Sequence, residues 1–201
     1  MGNVRSTYNA FQLFGKDVEI TDDFEKITKS EAIILPGVGA FSDGMSNLHK
    51  KGLVSILENE ILKNKKPYLG ICLGLEFLAR KSFEGGETNG LGWISGNIEK
   101  INPESSEFKV PHMGWNDTQI INSGGLLYTE IQNPTFYYTH SYYLTLDDDE
   151  KNIITSTCDY GGIQIISSIQ KENIFATQFH PEKSQSTGIK LIQNFLEVIK
   201  K

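Results

Sequence analysis

A chain of 201 residues, 38% hydrophobic and 22% charged, is the size of one globular domain and buries roughly 70% of its unfolded surface. A formal charge of −6 argues against nucleic acid or an anionic membrane as the main partner, and no apolar run approaches the ~20 residues that cross a bilayer. Its 2 cysteines and 4 histidines exclude a disulfide framework and show no metal-type spacing, so we expect no metal, no cofactor and a reducing, cytoplasmic setting.

Val4 to Phe14 is predicted as a helix, capped by Asn3 and stopped by Gly15. Asp17 to Thr21 reads as a short strand, and Asp22 to Lys29 as a polar helical turn. The continuous apolar run Ala32-Ile33-Ile34-Leu35 fits a parallel strand buried on both faces. Phe41 to Lys63 is predicted helical with a break at Gly52, followed by a strand at Tyr68 and a helix from Leu73 to Arg80. This alternation implies an α/β fold with a parallel sheet. After Gly85-Gly86 the pattern becomes β-rich, with strands predicted near 92–101, 115–121, 136–144, 153–157, 164–169 and 174–179. Turn signals at Asn102-Pro103, Ser123-Gly124-Gly125, Asn133-Pro134 and Gly161-Gly162 separate them. Gly188 to Ile199 closes the chain as an amphipathic helix.

The most informative stretch is Tyr68-Leu69-Gly70-Ile71-Cys72-Leu73-Gly74-Leu75-Glu76. A strand that turns through Gly-x-Cys-x-Gly into a helix is a nucleophile elbow carrying a thiol. Cys72 then sits at a helix N-terminus, which favours thiolate. A base is offered by Gln178-Phe179-His180-Pro181-Glu182-Lys183-Ser184. Pro181 biases His180 towards extended backbone, so Glu182, two residues on, shares its face and can fix the imidazole tautomer. Cys72, His180 and Glu182 are thus nucleophile, base and orienter. An oxyanion needs backbone donors, for which Leu73 N–H and the loop Gly37-Val38-Gly39 are candidates. A lone cysteine after an apolar strand is otherwise a buried hydrophobe, and only the combination points to catalysis.

These segments resemble the class I (triad) glutamine amidotransferases. Leu35-Pro36-Gly37-Val38-Gly39-Ala40-Phe41, Val110-Pro111-His112-Met113-Gly114-Trp115-Asn116 and Tyr138-Thr139-His140-Ser141-Tyr142 narrow the resemblance to the glutaminase subunits of imidazole glycerol phosphate synthases, essentially end to end. The resemblance implies one amidotransferase domain over residues 1–201, with a central mostly parallel sheet, flanking helices and added antiparallel strands in the C-terminal half. Such proteins begin with a strand that leads into Met1-Gly2-Asn3, so the first strand is expected to be missing. Glutamine would be held near Gly37, Gly39, position 76 and the His140-Ser141-Tyr142 backbone. Glu76 stands where the family has glutamine, and a carboxylate there repels the substrate's α-carboxylate. Ammonia would pass to a (β/α)8-barrel cyclase subunit in a heterodimer, docked near Asn3, Trp115, Tyr137 and Lys183. By composition alone Trp115 and Tyr137 fit a core equally well. His112 reads as a structural or interface hydrogen-bonder, and His49 and Cys158 as functionally silent.

The implied reaction is hydrolysis of glutamine to glutamate and ammonia for histidine biosynthesis. Three alternatives remain at this point. The same chemistry could amidate a surface-polysaccharide sugar, the elbow could belong to a γ-glutamyl hydrolase, or the chain could be a degenerate subunit that only binds its partner.

Overall fold

A computed structural model of the chain describes residues 4–121 and 125–200. Asn3, expected both as a cap and at the interface, and the predicted turn at Ser123-Gly124 lie outside the described residues.

Local chemistry accounts for the helices. α1 (Val4–Gln12) buries Thr7, Ala10 and Phe11 at helical spacing and ends where Gly15 adopts a φ of 64°, its N–H bonded to Gln12 O at 3.0 Å. α2 (Phe24–Lys29) is capped by Asp23, whose carboxylate accepts from the Glu25 and Lys26 amides at 2.8 and 3.2 Å. α3 (Phe41–Lys50) and α4 (Leu53–Leu57) are separated by Gly52 in the left-handed conformation, as expected, and a π-helical turn over Glu58–Lys63 follows. α5 (Leu73–Glu76) follows the elbow, and α6 (Gln185–Ile199) closes the chain.

The main sheet has the order β1-β2-β12-β11-β10-β7. Its strands are β1 (Ile33–Gly37), β2 (Tyr68–Cys72), β7 (Gln119–Ile120), β10 (Ile154–Tyr160), β11 (Ile163–Lys171) and β12 (Ile174–Thr177). β1, β2 and β12 run parallel, and β11, β10 and β7 extend the sheet antiparallel. A smaller sheet joins β3 (Lys81–Ser82), β4 (Thr88–Asn89), β5 (Gly96–Lys100) and β9 (Tyr142–Leu146), while β6 (His112–Asp117) pairs with β8 (Thr135–His140) in a two-stranded sheet. Alternating side chains fill two cores: Tyr68, Ile174 and Ala176 meet the layer of α3, α4 and α5, whereas Leu69, Ile71 and Phe175 meet α1 and α6 through Phe11 and Phe195. The fold is therefore α/β with helices on both faces of the sheet. Among the described residues no helix is long and apolar enough to cross a membrane.

Three expectations are corrected. Asp17–Thr21 forms no strand, because it has no ladder partner among the described residues, and Ile20 remains 54% exposed. β1 is an edge strand among the described residues, so although Ile33 and Leu35 pack on one core and Ala32 and Ile34 on the other, these residues are only half-buried. The helix predicted over 73–80 stops after one turn at Glu76. Its continuation is diverted because the amides of Leu91, Trp93, Gly92 and Gly90 bond the carbonyls of Phe77, Leu78, Ala79 and Arg80 at 2.8–3.0 Å.

Candidate active site

Cys72 ends β2 with φ 54° and ψ −107°, a conformation rarely adopted by a residue with a side chain and costing about 1–3 kcal/mol. The surrounding glycines make the turn possible. A Cβ on Gly74 would lie 1.8 Å from the Leu35 carbonyl oxygen, and one on Gly70 would lie 2.5 Å from the Gly74 oxygen. Strand, turn and helix therefore approach more closely than any side chain permits. Gly37 pairs in register with Cys72, which places the Gly37-Val38-Gly39 loop beside the nucleophile. Gly39 is exposed at φ 111°, a conformation that side chains rarely adopt, and a Cβ there would meet nothing within 4 Å.

His180 arrives from the neighbouring strand. β12 pairs with β2 at Thr177↔Ile71, and the chain beyond it carries Gln178 past Cys72. The His180 backbone is anchored to β8: its N–H donates to Tyr137 O at 2.9 Å, and its carbonyl accepts from Ser184 Oγ at 2.6 Å. His180 Nδ1 lies 2.8 Å from Glu182 Oε1, with both side chains almost fully buried. A carboxylate acceptor there places the imidazole proton on Nδ1 and leaves the Nε2 lone pair free. His180 Nε2 has no hydrogen-bond partner among the described residues. It makes no hydrogen bond to Cys72, whose Sγ is approached by Gln178 Nε2 at 3.9 Å and by the Leu73 N–H.

The thiol's electrostatics run opposite to the expectation from a helix N-terminus. Burial pushes the Cys72 thiol well up, the Glu76 carboxylate adds to this, and the Leu73 N–H bonded to sulfur pulls only partly back. Glu76 is itself buried, its carboxyl pushed up to about 7 by desolvation, opposed by the Gln178 amide and reinforced by Glu84. Glu84 is a site residue that sequence reasoning missed. Its carboxylate accepts from the Phe41 N–H at 2.6 Å, at the start of α3, and its charge adds to the upward push on the Glu76 carboxyl. No local pattern around Glu84 announces this. Gln178 lies within the His180 motif without an evident role in the sequence, although its period-two alternation with His180 is a usable signal.

The remaining expected residues fall into two groups. His140 Nδ1–H donates to Tyr142 O at 2.8 Å across Ser141, fixing the corner between β8 and β9, and β9 packs against α5. His112 Nδ1 lies 3.0 Å from His140 Nε2, and burial holds both imidazoles neutral, at about 4 and about 3 respectively. Trp115, Tyr137 and Lys183 form a separate surface cluster: the two rings meet edge-on at 6.0 Å, and Lys183 Nζ sits 5.7 Å over Tyr137. Trp115 is 48% exposed beside Met113 at 62%, both on the outward face of β6, so Trp115 is not a core aromatic.

The sequence matches the family described as glutamine amidotransferase class-I over residues 3–199. It is 44% identical over 202 residues to the imidazole glycerol phosphate synthase subunit HisH of Pelagibacter ubique (strain HTCC1062), covering 98% of this chain and 95% of that protein. The subunit of the same name from Moorella thermoacetica (strain ATCC 39073 / JCM 9320) is 42% identical over 200 residues, covering 100% and 92%. Among solved structures, a glutamine amidotransferase superposes with a TM-score of 0.75 at 17% identity over 100% of this chain and 95% of that one. The glutaminase domain of CTPS from Trypanosoma brucei gives 0.64 at 15% identity over 96% and 88%. At these identities the structures speak for the fold alone.

Proposed function

The chain belongs to the class I glutamine amidotransferases and, among them, to the glutaminase subunits of imidazole glycerol phosphate synthase, and from that premise we propose how its residues divide the reaction. It hydrolyses glutamine to glutamate and ammonia and supplies the ammonia to a cyclase subunit in histidine biosynthesis. Relatives at 44%, 40% and 42% identity are all named as subunits of imidazole glycerol phosphate synthase, which favours this acceptor over a polysaccharide sugar.

Cys72 Sγ attacks the side-chain carbonyl carbon of glutamine while His180 Nε2 takes the thiol proton. The carbonyl electron pair moves to oxygen, which is held by Leu73 N–H and a peptide N–H of Val38 or Gly39. When the tetrahedral intermediate collapses, His180 returns the proton to nitrogen and ammonia leaves a γ-glutamyl thioester. The same imidazole then removes a proton from water, which attacks the thioester and frees glutamate and the thiol. Glu182 keeps Nδ1 protonated through both halves. The substrate's backbone end lies against Gly37, Gly39 and the His140-Ser141-Tyr142 corner, with its α-ammonium facing Glu76 and Glu84. The observation that carries this reading is Cys72 in its strained elbow on the strand next to the one that delivers the His180–Glu182 pair.

Trp115, Tyr137 and Lys183, together with Asn3, supply the docking surface for the cyclase, a (β/α)8 barrel whose mouth receives the ammonia. An exposed Trp beside a Met is the kind of anchor that concentrates binding energy at interfaces. The chain acts as one domain in the cytoplasm. Glutamate release is measured on the chain alone and with ligand-loaded cyclase. Strong stimulation by the cyclase, lost in Cys72→Ala, supports the reading, whereas equal rates in Cys72→Ala and wild type sink it.

A further inference from the structure

Gln178 Nε2 stands 3.0 Å from Glu76 Oε1 and 3.9 Å from Cys72 Sγ, and the three residues are 0%, 6% and 5% exposed. We propose that Gln178 is a positioning residue that spaces the Glu76 carboxylate from the Cys72 sulfur, and that this carboxylate restrains the thiol until the α-ammonium group of bound glutamine offsets its charge. The inference rests on the glutaminase reading for the identity of that ammonium-bearing substrate.

An amide nitrogen only donates, and it carries two hydrogens. One bonds the carboxylate and the other side of the same nitrogen faces the sulfur, so a single group separates two atoms that both become anionic. The opposite amide orientation would set Gln178 Oε1 against the carboxylate oxygen, which is repulsive. In the orientation found, Oε1 is buried with no hydrogen-bond partner among the described residues. That vacant acceptor in the site suits a donor brought by substrate.

The charges around the sulfur point the same way. Glu76 follows Cys72 by four residues on α5 and shares the Gln178 amide with it, and the charge of Glu84, in the loop beyond β3, acts on Glu76. From the segment after β12 come the Glu182 carboxylate and the Lys183 ammonium, both felt by Cys72, and the His180 imidazole. The carboxylates at 76 and 182 thus outnumber the one lysine, Lys183 of the neighbouring surface, at a sulfur where burial already disfavours a thiolate. A bound zwitterion with its ammonium against Glu76 cancels the nearest of these charges. The nucleophile is then released by the substrate it attacks.

Cys72 alkylation by iodoacetamide, followed across pH by peptide mass spectrometry, reads the thiol directly without turnover or partner. Glu76→Gln is expected to move the Cys72 profile down by about one pH unit, roughly tenfold faster alkylation at a fixed pH below the midpoint. Gln178→Met moves it up in wild type, and by less than half as much in the Glu76→Gln background. L-Glutamate, which carries the α-ammonium, raises the ultraviolet thiolate absorbance relative to Cys72→Ala, and glutarate, which lacks it, does not. Profiles for Glu76→Gln and wild type that coincide overturn the inference, as do additive shifts or equal responses to glutamate and glutarate. If Gln178→Met fails to fold, Glu76→Gln with the two ligands decides alone. A chain that hydrolyses glutamine yet shows coincident profiles loses this inference only, whereas one with the expected shifts but no glutamate release with its cyclase loses the function reading.

Discussion

Glu182 Oε1 and His180 Nδ1 meet at 2.8 Å inside a tight turn, with both side chains nearly excluded from solvent. Because Pro181 starts a short 3-10 turn directly after His180, the carboxylate folds back onto the ring it orients. Glu182→Gln keeps the shape and can still bond the ring, but it no longer favours the imidazolium that forms as the thiol is deprotonated. Turnover with the cyclase is expected to fall about 100- to 10,000-fold with little change in KM, measured by steady-state glutamate release. A loss below threefold contradicts the role.

Gly74 is expected to tolerate no side chain. Its Cβ would stand 1.8 Å from the Leu35 oxygen, a backbone atom of β1 that cannot swing aside. Gly74→Ala should therefore lose at least ~3 kcal/mol of stability in urea denaturation, against less than about 1 for Gly85→Ala. Nothing lies within 4 Å of a Cβ at Gly85, where only its φ of 65° opposes the change.

Stability is expected to vary with pH in two opposed ways. The Glu76 carboxyl, raised from 4.5 to about 7, keeps a proton in the folded chain that the unfolded chain releases. Its contribution is complete below 4.5 and is lost as pH rises through about 7, on the order of 3 kcal/mol. His112 and His140 behave inversely: lowered from 6.5 to about 4 and about 3, they stay neutral while the unfolded chain takes up protons, so their contribution holds above 6.5 and is lost on acidification. Denaturation midpoints across pH test both. Glu76→Gln should flatten the neutral limb and leave the acid limb in place.

Much of the site was legible because its signals are local. Gly70, Cys72 and Gly74 encode their turn by size and backbone freedom, whereas the pairing of His180 with Glu182, expected from extended backbone, is made by a 3-10 turn over Pro181–Lys183. What failed depends on neighbours remote in sequence. Asp17–Thr21 has the composition of a strand, yet a strand exists only with a ladder partner. The helix after the elbow stops at Glu76 because amides from 90–93 capture the next carbonyls. Glu84 reaches the site through a loop, and the upward push on the Cys72 thiol comes from tertiary burial that outweighs one short helical turn.

The most direct test of the account is covalent capture of the nucleophile. The chain, with its cyclase, is treated with 6-diazo-5-oxo-L-norleucine, a glutamine-mimicking electrophile, and digested for peptide mass spectrometry. A single adduct on Cys72, matched by loss of glutamate release and blocked by excess glutamine, is predicted. An adduct on Cys158, or continued glutamate release with Cys72 fully modified, contradicts the mechanism.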